Sequence, residues 1–372
     1  MARETAPALA VIDAALTADP ADLDALILRV RALRMAGQAK EALAACDRAT
    51  PPIERSGMTA ALAELAFERG FLLQTTSGLE AALEQFHEAA RLGEANVEYF
   101  SAICDTLCQL GRPGEAVPWR HRILAIRDAE ARCAPGDIVT AGRPRPFDPT
   151  RRDRNIVSYC LFGDDPFYHE CAVTNARITP VMFPEFTARF YCSADLPANV
   201  LQALAAAGAE VMIPREPASG RISPMAGTMW RFLTFDDPNV DVVLCRDVDS
   251  PILPRERAAI DLWLAGTKPF YCLRDHPVHA ELMLAGMWGG FTGLLPPLGP
   301  LTSRIVKSDF TRFADQRFLR SVIWPRLRDH AILSIDSIAS LEGSVDFPPE
   351  FPRHGRLHVG VSWTRTQILG PA

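Results

Sequence analysis

The stretch Val240-Asp-Val-Val-Leu-Cys-Arg-Asp-Val-Asp-Ser250 decides how the C-terminal part of this 372-residue chain is read. Its first half is a short apolar run of the kind that forms a fully buried strand, predicted over 240–245. Its second half sets two carboxylates at i and i+2 where that strand gives way to a loop. Working outward, further strands are predicted over 155–163, 188–192, 210–213 and 269–273. Helical patterns lie between them over 167–179, 198–207, 225–235 and 255–264. Strands separated by helices of that length predict βαβ units and a mainly parallel sheet with helices on both faces. Ligands of such sheets bind beyond the carboxyl ends of the strands. Interest therefore falls on Phe162-Gly163-Asp164, Arg246-Asp247-Val248-Asp249 and Arg274-Asp275-His276.

The glycine-rich phosphate loops are missing: neither Gly-x-Gly-x-x-Gly after the first strand nor Gly-x-x-x-x-Gly-Lys-Ser/Thr occurs, which argues against a nicotinamide enzyme or a P-loop ATPase. Phosphates would have to be neutralised otherwise, and Asp247 and Asp249 are the candidates. Once the strand bends, both carboxylates approach one point. Mg²⁺ or Mn²⁺ prefers such oxygens and can bridge two phosphates of a nucleotide diphosphate. An Asp-x-Asp pair is short enough to arise by chance, and a plain turn is the alternative. Asp22-Leu-Asp24 shows the bland version, acidic residues favouring a helix N-terminus.

The first part of the chain repeats itself. Ala42, Ala82 and Ala116 are equivalent, preceded by helices with the apolar pairs Leu26/Leu33, Ala66/Leu73 and Phe100/Leu107. The turns between the helices fall at Gly37–Lys40, Thr76–Gly78 and Gly111–Gly114, and Ala8, Ile12 and Ala15 fit the second helix of an earlier unit. This pattern resembles the tetratricopeptide repeat, although its characteristic Trp and Tyr are absent and the first spacing carries six extra residues. Such stacks bind peptides or sister protomers on a concave face. The expected organisation is a repeat domain at 1–135, a Pro/Arg-rich linker at 136–154 and an α/β domain at 155–372. The five arginines of 142–154 read as a solvated linker or as a contact to an acidic surface.

Composition bounds the rest. Hydrophobic residues make up 48% and charged residues 23%, with a net charge of −6. That mix excludes a disordered or collagen-like chain and lacks the basic footprint of a nucleic-acid wrapper. No apolar run is long enough to span a bilayer, and the N-terminus lacks the order of a signal peptide. The nine cysteines include no Cys-x-x-Cys pair. Cys160, Cys192, Cys245 and Cys272 sit in apolar runs as packing thiols, and Cys104 and Cys108 lack partners for a zinc set. A reducing, cytoplasmic setting is expected.

The order of Met229-Trp-Arg-Phe-Leu233, Cys245-Arg-Asp-Val-Asp-Ser250, Met287-Trp-Gly-Gly290, Asp315-Gln-Arg-Phe-Leu319 and His358-Val-Gly360 resembles the GT-A glycosyltransferases. The resemblance covers about 155–365. It implies transfer of a sugar from a nucleotide-diphosphate donor to an acceptor hydroxyl, with Mn²⁺ or Mg²⁺ held by Asp247 and Asp249. It also implies that the first strand's end, Phe162-Gly163, contacts the base. In one subgroup a C-terminal His reaches the metal, within a His-x-x-Gly…Lys-Pro-Trp tail. Here Leu357-His-Val-Gly-Val-Ser-Trp363 has one residue fewer before Gly and no Lys-Pro, so His358 is either the third metal ligand or a strand histidine.

The chemistry such an enzyme needs assigns the remaining candidates. Negative charge develops on the departing diphosphate and calls for an arginine. Arg231 is the first choice and Arg246 the second, with a surface ion pair as the alternative for either. An acceptor hydroxyl must lose a proton to a carboxylate. Asp315 is the candidate and Asp275 the runner-up, while a helix N-cap would equally explain Asp315. Trp288 and Gly289 suit sugar or acceptor binding, or a turn with a core Trp. His276 and His279, just after a strand's carboxyl end, read as loop residues, with contact to the donor as the alternative for either. The expected partners are the donor, an unknown glycan or protein acceptor, and a protein bound by, or self-association through, the repeats. Two rival readings are an inactive scaffold and a sugar nucleotidyltransferase.

Overall fold

The computed structural model describes residues 2–132, 144–215, 227–306, 313–353 and 357–369. The chain divides into two compact units, Met1–Ile126 and Arg127–Ala372. Residues 133–135 of the expected repeat domain, 136–143 of the expected linker and 225–226 of an expected helix lie outside the described residues.

The first unit is built of helices α1 (Ala2–Ala18), α2 (Leu23–Met35), α3 (Ala39–Ser56), α4 (Thr59–Thr76), α5 (Leu79–Leu92), α6 (Val97–Gln109) and the greater part of α7 (Pro113–Arg132), which runs past the unit's end at Ile126. Consecutive helices from α1 to α6 pack on one another, and α2 also packs on α4, as in a stack of helical pairs. Side-chain oxygens open two of these helices: Asp22 accepts from the Ala25 amide and Asn96 from the Glu98 amide. Asp22 is thus the cap expected of the control Asp-x-Asp. The equivalent residues Ala42, Ala82 and Ala116 are all fully buried, so close helix contact is what selects a small side chain there. Gly70 of α4 makes the point most sharply, since a Cβ at that position would meet the Phe86 ring of α5 at 2.4 Å.

The second unit holds a seven-stranded sheet: β1 (Asn155–Leu161), β2 (Thr187–Cys192), β3 (Glu210–Met212), β4 (Val242–Arg246), β5 (Phe270–Arg274), β6 (Met287–Phe291) and β7 (Ile332–Asp336). The spatial order is β3-β2-β1-β4-β6-β5-β7. Neighbours are parallel except at β6, which runs antiparallel to both β4 and β5. The sheet is therefore mixed, with one reversed strand.

Helices α8 (Pro166–Met182), α9 (Ala198–Ala206) and α10 (Pro254–Leu264) cover one face, packing Ala172, Ala176, Leu204 and Trp263 onto Val157, Tyr159 and Tyr271. A 3-10 helix, Gly227–Asp236, covers the other face, where the α-helix of 225–235 was expected. Its fixation is polar as well as apolar: the Ser158 hydroxyl donates to the Arg231 carbonyl (2.8 Å) and meets the Thr234 hydroxyl (2.8 Å). Helices α11 (Leu298–Val306), α12 (Ala314–Phe318), α13 (Trp324–Leu327) and α14 (Arg365–Leu369) complete the unit, with a π-turn, Leu319–Ile323, joining α12 to α13.

Most of the described part of the expected linker, residues 144–154, is exposed, as a solvated segment should be, but it is tied down at particular side chains. Arg154 and Arg145 both pair with buried Asp241, and the Phe147 ring stacks on Phe186 at 5.8 Å. Eight free cysteines are described, seven of them buried. Burial, with a smaller push from Cys160, lifts the Cys192 thiol to about 12, and burial dominates at Cys160, lifted to about 11, so these are packing groups. Among the described residues no helix is long and apolar enough to cross a membrane.

Candidate functional site

The strand order reverses beside β1: the chain steps outward through β2 and β3, then returns to place β4 on β1's other side. Helices leave on opposite faces at such a switch point, and a crevice opens at the carboxyl ends of the two central strands. A cleft of about 470 Å³ lies there, within the range of small-molecule sites. Leu161 and Phe162 line it from the end of β1, Asp247, Val248 and Asp249 from the end of β4, and Arg231 from the 3-10 helix.

The loop after β4 is held by its own carbonyls. Buried Asn175 of α8 donates its side-chain amide to the Val248 (2.8 Å) and Ser250 (3.2 Å) carbonyls. Arg246 donates to the Ser250 (3.1 Å) and Pro251 (3.0 Å) carbonyls and pairs with Glu256 of α10. Both amino groups of Arg246 are thus engaged behind the loop, and the side chain is 1% exposed. The expectation that it could meet a phosphate is corrected, because its guanidinium is spent on the turn.

Arg231 is the centre of the cleft's electrostatics. It is 3% exposed and bridges two carboxylates, donating to Asp247 Oδ1 (2.5 Å) and Asp315 Oδ2 (2.8 Å) and also to the Arg246 carbonyl (3.0 Å). Burial works against its charge, but Asp247, then Cys160 and Asp315, outweigh that and leave the guanidinium pKa above its ordinary value. The Asp247 side chain remains 43% exposed. Gly286, just before β6, lies against it: a Cβ there would stand 2.2 Å from Asp247 Oδ2.

Asp249 also lines the cleft. Burial, then the neighbouring Asp247 charge, raises its pKa, and the Ser362 hydroxyl partly offsets this. Asp315 lies in the first turn of α12 without being its N-cap. It accepts the Gln316 amide on Oδ1 (2.8 Å) as well as Arg231 on Oδ2. Burial raises its pKa despite Arg231. Three carboxylates thus face one guanidinium, and no other cationic side chain lines the cleft among the described residues.

Phe162, half exposed, offers a flat apolar face at the mouth, its ring edge-on to Trp230 at 5.9 Å and admitted by the absence of a Cβ at Gly227. Gly163 lies just beyond, with φ +84° and its carbonyl bonded to the His169 ring (3.0 Å); it is outside the cleft lining. Sequence reasoning did not single out Tyr168, Thr228, Phe313, Gln316 or Ser362, which also line the cleft. Their residue types carry no spacing signal, and only Gln316 and Ser362 sat inside quoted motifs.

The remaining expectations are corrected. Trp288 is fully buried, stacked on Phe235 at 4.8 Å, and belongs to the core rather than to a sugar site. Gly289 is needed for sheet packing, since a Cβ would lie 2.1 Å from the Val243 carbonyl and 2.7 Å from the Tyr271 ring. Asp275 is fully buried, paired with Arg255 and accepting the Val359 amide (3.0 Å), so it anchors the C-terminal tail and meets no acceptor.

His358 stacks on His276 at 4.3 Å and stands edge-on to His279 at 4.9 Å. Burial lowers its pKa. Among the described residues no three His, Cys, Asp or Glu side chains gather closely enough to hold a metal ion, so His358 does not complete a set with Asp247 and Asp249. Its neighbours nevertheless reach the site: Gly360 and Ser362 line the cleft, and the Trp363 amide donates to the Asp249 carbonyl (2.8 Å).

No protein-family model and no curated protein matches the chain. Among solved structures it is similar to a double mutant of MamA, at 16% identity and a TM-score of 0.30, covering 34% of this chain and 68% of that one. It is also similar to YrrB, described as a TPR protein with an unusual peptide-binding site, at 24% identity and a TM-score of 0.27, covering 32% of this chain and 60% of that one. A mutant of the Thermobaculum terrenum O-GlcNAc transferase matches at 14% identity and a TM-score of 0.25, covering 53% of this chain and 42% of that one.

Proposed function

We propose that the second unit is a GT-A-type glycosyltransferase that moves a sugar from a nucleotide-diphosphate donor to an acceptor hydroxyl. The observation that carries this reading is the cleft at the β1/β4 switch point, with Asp247 and Asp249 at its floor and Arg231 beside them. Phe162 suits a base, the carboxylates suit a cation on the diphosphate, and the space beside Asp315 suits the sugar.

With substrate phosphates completing the shell, Asp247 and Asp249 would suit Mn²⁺ or Mg²⁺, since among the described residues no third His, Cys, Asp or Glu stands close enough to join them. An anionic diphosphate would meet a cleft already in carboxylate excess, and Asp249 is destabilised as an anion by burial and then by Asp247. Mg²⁺ is commonly bound through one or two carboxylates plus substrate phosphates, which is what two aspartates on one loop can supply. When bound, such an ion stabilises the charge developing on the leaving diphosphate. Arg231 adds a fixed positive charge that needs no rearrangement as the bond breaks. Asp315, with a raised pKa and a place in the lining, would receive the acceptor's proton on an oxygen it now shares with Arg231 or Gln316. The repeats of the first unit would recruit the acceptor or a partner protein.

A scaffold without catalysis is the second reading, favoured by the placement of His358 away from the carboxylates. One experiment separates the two: thermal unfolding with Mn²⁺ and a panel of nucleotide sugars, alongside donor turnover. The enzyme reading expects one donor to stabilise wild type by up to about 3 kcal/mol at a hundredfold excess over its Kd, with Asp247→Ala showing no response. No donor discriminating between the two proteins, and no donor hydrolysis, would sink it. A nucleoside triphosphate consumed with a sugar phosphate would indicate nucleotidyltransfer instead.

A further inference from the structure

The two carboxylates proposed to hold the cation are not equally available. Asp247 Oδ1 is taken by Arg231 at 2.5 Å, and Oδ2 lies against Gly286. Arg231 has little freedom to withdraw. Its other amino group is committed to Asp315 at 2.8 Å, its first also donates to the Arg246 carbonyl at 3.0 Å, and both Arg231 and Asp315 are buried. A guanidinium leaving Asp247 would have to leave a buried carboxylate with it. The described residues offer no third His, Cys, Asp or Glu to complete a metal shell. A dication arriving alone therefore finds an incomplete ligand set with a fixed positive charge beside it.

We propose that Arg231 competes with the divalent cation for Asp247, so that the cation is held firmly only in company with the donor's diphosphate. This rests on the cation-dependent reading above. The diphosphate would resolve the conflict in two ways: its oxygens would supply ligands that the protein lacks, and its negative charge would offset the guanidinium's repulsion of the ion. Arg231 then serves as a positioning residue that makes metal binding conditional on substrate, and the free protein does not accumulate a loaded metal.

The test measures Mn²⁺ binding to the full chain by water-proton relaxation, with Mn²⁺ alone and with saturating UDP or GDP as probes. Wild type is expected to bind Mn²⁺ weakly alone and much more tightly with one of the two nucleotides. Arg231→Met should tighten binding of Mn²⁺ alone by roughly tenfold, the scale of removing one like charge about 5 Å from a dication in a wet cleft. Arg231→Lys keeps the charge and should stay near wild type. Because Arg231→Met strands Asp315, the double variant Arg231→Met/Asp315→Asn removes both buried charges and should show the same tightening.

Unchanged or weaker binding of Mn²⁺ alone in both Met variants overturns the competition while leaving the cation reading standing, provided wild type still binds Mn²⁺ with nucleotide. Wild type that binds a nucleotide equally well with and without Mn²⁺, and never binds the ion, overturns the cation reading and this inference together.

Discussion

Gly286→Ala is the most informative single change at this site. The added methyl would stand 2.2 Å from Asp247 Oδ2, 2.4 Å from its Cγ and 2.7 Å from its backbone nitrogen. Ordinary contact begins near 3.4 Å, so the carboxylate must retreat by about 1 Å, the scale at which overpacking disturbs a packed site. The backbone nitrogen has no such freedom, because the preceding residue, Arg246, is paired with Met287 across β4 and β6. Overpacking of this kind costs about 1–3 kcal/mol. For a unit of this size each kcal/mol lowers Tm by about 2–4 °C. The variant should therefore unfold earlier in urea and in heat, and its response to Mn²⁺ with nucleotide should vanish because the Asp247 carboxylate is pushed from the position proposed for holding the ion. Gly114→Ala is the control: nothing lies within 4 Å, and the position is in α7, so it should be neutral or stabilising by up to about 1 kcal/mol. Wild-type stability and an intact ligand response in Gly286→Ala would refute the claim that this glycine seats Asp247.

Asp249→Asn should stabilise the protein at neutral pH while abolishing the nucleotide response. Burial and then Asp247 raise the folded-state pKa of Asp249. Below the ordinary carboxylate pKa both states hold the proton and the variant matches wild type. As pH rises through the raised value, ionisation costs the native wild type alone, and the variant's advantage then persists upward. Urea melts at several pH values read this, and an advantage that shrinks with rising pH would contradict it. Asp275→Asn should cost about 3 kcal/mol by stranding Arg255, with donor turnover per folded molecule unchanged; a selective loss of turnover would return Asp275 to the chemistry. Phe86→Ala should cost about 3–5 kcal/mol and reduce the helical circular dichroism signal at a given urea concentration, since Phe86 fills the contact between α4 and α5.

Much of the fold was legible in the sequence, for physical reasons that also mark where legibility ends. Strands β1, β2 and β4 are apolar runs buried on both faces, and periodicity finds them to within a residue or two. Met287-Trp-Gly-Gly-Phe291 reads as a glycine turn because glycine is disfavoured inside strands. Its glycines are there because the Phe270 and Tyr271 rings and the Val243 carbonyl occupy the space of their side chains, a fact held on other strands. Strand β7 went unpredicted, its Ser334 breaking a short run whose partner β5 lies 60 residues away. At the site, Asp247 and Asp249 were readable from their position after a strand. The bridge from Arg231 to Asp315 spans 84 residues and follows from no local pattern. Arg246 and Asp275 illustrate the converse: right residue types beside strand ends whose partners, Glu256 and Arg255, turn them to structural work.

The reversed strand β6 ties two otherwise separate properties to one variable. Its first residues stand at the edge where β1 and β4 finish, so one alignment of β6 places Gly286 against Asp247 and Trp288 on Phe235 at once. A slip of one position would turn Trp288 to the opposite face and bring a bulky neighbour to the aspartate. Selection for solubility and selection for turnover should accordingly leave the same footprint along 286–290. A mutational scan of that segment would find few substitutions able to impair one without the other.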